Sequence, residues 1–277
     1  MGTPEDAKHK AAITYNAASD FYDHPANSFW EQYGRRTVAR LRIASRSRVL
    51  DVCCGSGASA IPAAEAVGPH GYVVGVDLAE NLLALARAKA NDRGLKNVEF
   101  RVGDMLDLRL PATGFDAVIC VFGIFFVPDM RGAVRELWSH VRPGGELAIT
   151  TWGPRFFEPV NTAFWEAVRT ARPDLYKGFN PWDRICEPEA LRAIFLEGGA
   201  EVPDVATDMR SHALGSPEDW WPMVLGTGYR GTVEQLDAEA RERVRNGCLD
   251  FIRATGVQSV EANVLYASAK KHLPGSD

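Results

Sequence analysis

Val49-Leu50-Asp51-Val52-Cys53-Cys54-Gly55-Ser56-Gly57 is an apolar run that breaks into a turn with two glycines. Such a run suits a buried strand, and glycines just beyond it let a ligand approach the backbone. Asp51 stands four residues before Gly55, where a carboxylate near the strand end faces a cation or an ammonium group. Ser56 adds a hydroxyl and a backbone donor at the same place.

Outward from this stretch, strand-like and helix-like segments alternate, the pattern of a parallel sheet covered by helices. The first strand is predicted over Arg48–Cys53, followed by Tyr72–Asp77, Val98–Val102, Phe115–Phe122 and Glu146–Trp152. Helices are predicted at Glu80–Arg93 and Asp129–Val141, the latter with Asp129 as N-cap, and Pro143-Gly144-Gly145 turns the chain into the fifth strand. Beyond Trp152 come helices at Val160–Arg172 and Pro188–Gly198, then a weak strand near Glu201–Arg210. A helical block at Pro217–Leu225 and Thr232–Thr255 precedes a final strand, Ala262–Lys270. The first 45 residues are helical and aromatic in character.

Composition excludes several classes. With 31 basic and 36 acidic residues the net charge is −5, which gives no basic field for a nucleic acid. No apolar run reaches the roughly 18–20 residues that span a bilayer, and the N-terminus has no apolar signal core, so a cytoplasmic protein without a membrane partner is expected. The five cysteines form no CxxC pair and the histidines no HExxH or HxH, so thiols that serve packing and no metal site are expected.

Gly55 to Ala60 also fits the GxGxxA turn of dinucleotide-binding proteins, with Asp77 twenty residues past Gly57. By itself the turn leaves an oxidoreductase using NAD(P) and a binder of an adenosyl-sulfonium both open. Asp51 weighs against a pyrophosphate. Gly103-Asp104-Met105 after the third strand and Pro143-Gly144-Gly145 before the fifth complete a set of four motifs. With them, the chain from about Tyr15 to Gly153 resembles the class I S-adenosylmethionine-dependent methyltransferases, in the small-molecule branch that includes the quinone-biosynthesis C-methyltransferases.

That resemblance implies an α/β, Rossmann-like seven-stranded methyltransferase sheet of order 3-2-1-4-5-7-6, the last strand antiparallel, with helical lid elements. It implies one methyltransferase domain over 1–277: a lid at 1–45, a cofactor-binding core at 46–153, and a C-terminal sheet half at 154–277 with an inserted cap at about 216–256. The cofactor is S-adenosyl-L-methionine. Asp51, Cys53, Gly55, Ser56 and Gly57 correspond to the loop under its methionine part, with Cys53 where relatives carry a first glycine. Asp77 corresponds to the acceptor of both ribose hydroxyls, or caps the helix that follows. Leu78 corresponds to a contact with the adenine, Asp104 and Met105 to its polar edge, and Val121 to a carbonyl for the ammonium. Tyr15, Tyr22 and Arg36 match a lid that covers the cofactor and pairs with its carboxylate; the same aromatics equally suit docking of a helix onto the sheet.

The expected activity is methyl transfer to a small aromatic or apolar organic acceptor. A non-catalytic S-adenosylmethionine sensor remains the alternative alongside the oxidoreductase, and oligomeric state, a homodimer included, is left open. Phe125, Phe126, Trp152, Phe156, Phe157, Trp182, Trp220, Trp221 and Tyr229 fall in loops and helices expected at the ligand-binding sheet edge. No catalytic base declares itself; His24 and His212 are candidates because imidazole titrates near neutrality.

Overall fold

The computed structural model describes residues 4–110 and 112–273. The extreme ends of the predicted lid and C-terminal half, residues 1–3 and 274–277, lie outside them. Two helices open the chain, α1 (Pro4–Tyr22) and α2 (Phe29–Arg40). The alternating core follows: β1 (Arg48–Val52), α3 (Ala60–Val67), β2 (Tyr72–Asp77), α4 (Glu80–Asp92), β3 (Val98–Val102), β4 (Phe115–Val121), α5 (Met130–His140) and β5 (Val141–Trp152). The C-terminal part adds α6 (Val160–Ala171), α7 (Pro188–Glu197), β6 (Asp204–Asp208), β7 (Ser211–Ala213), α8 (Trp220–Leu225), α9 (Arg230–Val233), α10 (Ala238–Thr255), β8 (Ser259–Glu261) and β9 (Val264–Lys270).

Seven strands form one sheet in the order β3-β2-β1-β4-β5-β9-β6. The first five are parallel, while β9 pairs antiparallel with both β5 and β6. This is the expected topology, with β9 as its antiparallel seventh strand. Val49, Leu50 and Val52 are buried completely, as a central strand with helices on both faces requires. The order reverses between β1 and β4, and at such a switch point the crossovers diverge and leave a crevice beyond the carboxyl ends of the strands.

Three local expectations need correction. Pro143-Gly144-Gly145 does not separate helix from strand, because β5 begins at Val141 directly after α5. The motif is an irregularity inside β5, where pairing with β4 jumps from Phe115–Val141 to Ala117–Glu146 and Gly144 takes a φ of 76°. The block Thr232–Thr255 is broken, since Asp237 accepts from the Ala240 N–H at 2.7 Å and starts α10 afresh. Finally, a short antiparallel ribbon of β7 and β8, not foreseen in the sequence, lies beside the main sheet. It clamps together the two ends of the insertion that carries α8, α9 and α10. Among the described residues no helix is long and apolar enough to cross a membrane.

Candidate functional site

Two cavities adjoin at the carboxyl edge of the sheet. The first, of about 1000 Å³, opens where β1, β2 and β4 end and is covered by α1. Val52, Cys53 and Gly55 line it from β1 and its loop, Val76, Asp77 and Leu78 from β2, and Val121, Phe122 and Gly123 from β4. Gly103, Asp104 and Met105 line it beyond β3. Tyr15 and Tyr22 of α1 and Trp30 of α2 form the roof.

The turn is shaped by backbone constraint. Cys53 and Phe122 both adopt left-handed φ values, 60° and 55°, at the ends of adjacent strands. Such values are uncommon outside glycine and mark a locally constrained backbone. Cys53 thus takes a glycine-like conformation, and the neighbouring Cys120 thiol together with burial raises its pKa and holds it protonated. Gly55 has a φ of 52°, and a Cβ there would meet the Tyr22 hydroxyl at 3.0 Å. The roof and the loop touch.

Asp77 carries most of the polar organisation. Its Oδ2 accepts from the Gly55 N–H and its Oδ1 from the Ala79 N–H, both at 2.9 Å. Burial raises its pKa, opposed by these backbone donors. A carboxylate offers about four lone-pair sites, so capacity remains for hydroxyl donors from a ligand. The local turn and the ligand-facing position therefore coexist in one side chain. Asp104 accepts from Leu106 N–H at 2.9 Å and pairs with Lys8 of α1 at 3.1 Å, which ties the roof to the rim.

Of the residues expected in contact, Tyr15, Tyr22, Cys53, Gly55, Asp77, Leu78, Asp104, Met105 and Val121 line this cavity. Asp51, Ser56 and Gly57 stand one layer behind. Asp51 accepts from the Ser59 hydroxyl at 2.7 Å beneath the loop, its Oδ1 has no partner, and burial pushes its pKa up to about 7. Ser56 is drawn to Asp23 and Lys89, at 2.7 and 2.8 Å. Gly57, at a φ of 86°, faces Ile61 and Ala86. Arg36 is corrected outright: it pairs with Asp208 at 2.8 Å and lines neither cavity. His24 and His212 line neither cavity as well. His24 Nδ1 accepts from Ala26 N–H, and His212 Nε2 lies 2.8 Å from the Ala26 carbonyl oxygen, so they order the bend between α1 and α2.

The second cavity, of about 1190 Å³, shares Ala11, Tyr15, Trp30 and Phe126 with the first. Its walls come from α1, from the segment after β5, from the α6–α7 connection and from the insertion. Phe125, Phe126, Trp152, Phe156, Trp182 and Tyr229, all expected at this edge, line it. Phe157 and Trp220 are fully buried behind them, and Trp221 packs against the core without lining either cavity. The rings form a continuous series: Trp152 stacks on Phe122 at 4.1 Å and meets Phe156 at 4.6 Å, and Phe156 meets Trp182 at 4.6 Å. Sequence reasoning missed Trp165, Phe179, Lys10 and Lys177 in this lining. Helical period marks a residue such as Trp165 as buried without telling which cavity it borders.

The charges of the first cavity discriminate between ligands. Among the described residues, Glu5, Asp77 and Asp104 line it against a single ammonium, Lys8, which is already paired with Asp104. A pyrophosphate would meet three carboxylates there, whereas a cationic ligand with a diol and an aromatic base meets complementary groups. The residues present fit S-adenosylmethionine.

Residues 49–145 match the family described as a methyltransferase domain. Aklanonic acid methyltransferase of Streptomyces sp. strain C5 is 36% identical over 149 residues, 53% of this chain and 68% of that protein. Demethylmenaquinone methyltransferase of Listeria welshimeri is 38% identical over 150 residues, 53% of this chain and 62% of that enzyme. The match thus spans about six tenths of the demethylmenaquinone enzyme's length. Among solved structures, phosphoethanolamine N-methyltransferase 2 of Haemonchus contortus superposes with a TM-score of 0.59 at 17% identity, over 96% of this chain and 60% of that one.

Proposed function

This chain belongs to the S-adenosylmethionine-dependent methyltransferase family, and from that premise we propose that it methylates a small planar organic acceptor seated in the second cavity. The observation that carries the reading is the pairing of an acidic cavity at the strand ends with an aromatic one that shares its wall at Tyr15, Trp30 and Phe126. S-adenosylmethionine supplies an activated methyl group when bound. Asp77 takes the ribose hydroxyls, Leu78 and Met105 flank the base, Asp104 accepts from its amino group, and the Val121 carbonyl with the Cys53–Gly55 loop holds the methionine part. Tyr15 and Tyr22 close the roof, and Asp51, one layer below, braces the loop through the Ser59 hydroxyl. The unit at 46–153 is the cofactor core, and 1–45 with the cap at about 216–256 are the covers.

Positioning is the main source of rate. Holding a nucleophile in line with an activated methyl group supplies much of the acceleration, and the aromatic walls exclude water from it. No histidine lines either cavity among the described residues. Tyr15 is the polar group at the junction: a Cβ on Gly228 would lie 3.7 Å from its hydroxyl. Burial raises its pKa, so at neutral pH the hydroxyl stays protonated and can donate a hydrogen bond to the acceptor. The acidic net charge supports a small-molecule substrate over nucleic acid, and the reading places the reaction in the cytoplasm.

Calorimetry tests the cofactor half. S-adenosylhomocysteine should bind in the micromolar range and NADH should give no heat. Tight NADH binding with no S-adenosylhomocysteine binding would overturn the reading.

A further inference from the structure

The second cavity is apolar in its walls but not neutral in its charge. Lys10 of α1 and Lys177 of the α6–α7 connection both line it, both residues are exposed, and no Asp or Glu lines it among the described residues. The two ammonium groups therefore mark its mouth. Lys177 turns its Nζ inward to donate to the Thr232 hydroxyl at 3.0 Å and lies 5.6 Å from the Trp165 ring centre. The residue as a whole is exposed, but this turn takes the ammonium partly out of water, and that desolvation, with Lys10 as a like-charged neighbour, lowers its pKa. Two cations brought to one opening without a carboxylate between them repel each other, and an anion placed there would relieve that repulsion. Trp165 and Trp182 line the same cavity with their rings.

We infer that the acceptor is a planar aromatic acid: its anionic group stays at the mouth between Lys10 and Lys177, its ring lies among Trp165, Trp182 and Phe156, and its nucleophile reaches the Tyr15 end shared with the first cavity. The inference rests on the methyltransferase reading and narrows its substrate class. The lysines recognise and orient; they do not touch the reacting atoms. An anion at the opening keeps part of its hydration, so it avoids the penalty of burying a charge while gaining two charge-assisted contacts.

The test uses two probes of one shape, 1-hydroxy-2-naphthoate and its uncharged amide, titrated by calorimetry into protein saturated with S-adenosylhomocysteine. The acid should bind about tenfold tighter or more than the amide, a difference of about 1.4 kcal/mol. The Lys10→Met, Lys177→Met double variant should bind both probes alike, and Lys177→Arg alone should retain the preference. S-adenosylhomocysteine affinity should not change in any of these variants, which shows that they are folded. Equal affinities in the parent protein, a preference that survives in the double variant, or binding of neither probe to the loaded protein would each overturn the inference while leaving the cofactor reading intact. Failure of S-adenosylhomocysteine itself to bind would overturn both.

Discussion

The two cavities are built on opposite plans. The first is made of strand ends and the turns beyond them and, among the described residues, is lined by three carboxylates and one paired ammonium. The second is made of rings brought from seven separate stretches of chain, is lined by two lysines and no carboxylate among the described residues, and is closed by helices and connections. A rigid sheet edge suits an invariant ligand, because its groups are held by the strands themselves. A helical cover of aromatic side chains suits a ligand whose shape differs among relatives, because rings can be exchanged without disturbing the strands. On the proposed reading, cofactor and acceptor recognition are carried by parts of the fold that can change independently.

The strongest way to break this division is Asp77→Ala. It removes the acceptor for the N–H groups of Gly55 and Ala79 and, on the proposed reading, for two ribose hydroxyls. Hydrogen bonds to a charged group are worth about 1.5–3 kcal/mol, so S-adenosylhomocysteine affinity should fall roughly 10–150-fold in calorimetry. Melting temperature should fall too, because the turn loses its anchor. A lower melting temperature with unchanged affinity would mean that Asp77 serves the turn alone.

A smaller effect is expected on the other side. Trp182→Ala removes a ring that meets Phe125 at 5.4 Å and Phe156 at 4.6 Å. Aromatic pairs are worth about 0.5–1.5 kcal/mol, so the acceptor KM should rise roughly 2–12-fold while S-adenosylhomocysteine affinity stays within about twofold. Equal losses for both ligands would show that the two cavities act as one site.

The same division explains what could be read in the amino-acid sequence. The sheet and the first cavity were legible because a strand followed by a ligand-binding turn is a local matter: Val49–Gly57, Asp77 and Gly103–Met105 each carry their meaning within a few residues. The layer each residue occupies was not legible. Asp51, Ser56 and Gly57 belong to the motif, yet Ser59, Lys89 and Ile61, reached only after the chain has folded, draw them behind the lining. Arg36 was misplaced for the same reason, since Asp208 lies 172 residues away in sequence. In the second cavity the aromatic content was visible, but Lys10 and Lys177 look like ordinary surface charges until α1 and the α6–α7 connection meet at one opening.

A pH dependence is predicted for the layer beneath the first cavity. Burial raises the Asp51 carboxyl from about 3.8 to about 7, so the folded state keeps its proton where the unfolded chain has lost it. The protonated group's stabilising contribution is therefore fully present below pH 3.8 and is lost as pH rises through about 7. Asp51→Asn, which keeps an acceptor for the Ser59 hydroxyl, should melt a few degrees above the parent protein near pH 8, and the gap should close toward pH 4. A gap that does not vary with pH would show that Asp51 is not the titrating group.

The central claim is that a methyl group passes from a donor in the first cavity to an acceptor in the second. Mass spectrometry of a small-molecule extract incubated with the protein and methyl-labelled S-adenosylmethionine tests it most directly. The account predicts one new labelled aromatic product, formed in step with S-adenosylhomocysteine. Binding of S-adenosylmethionine with no labelled product and no S-adenosylhomocysteine formed, across extracts that contain aromatic acids and phenols, would contradict it and leave a sensor.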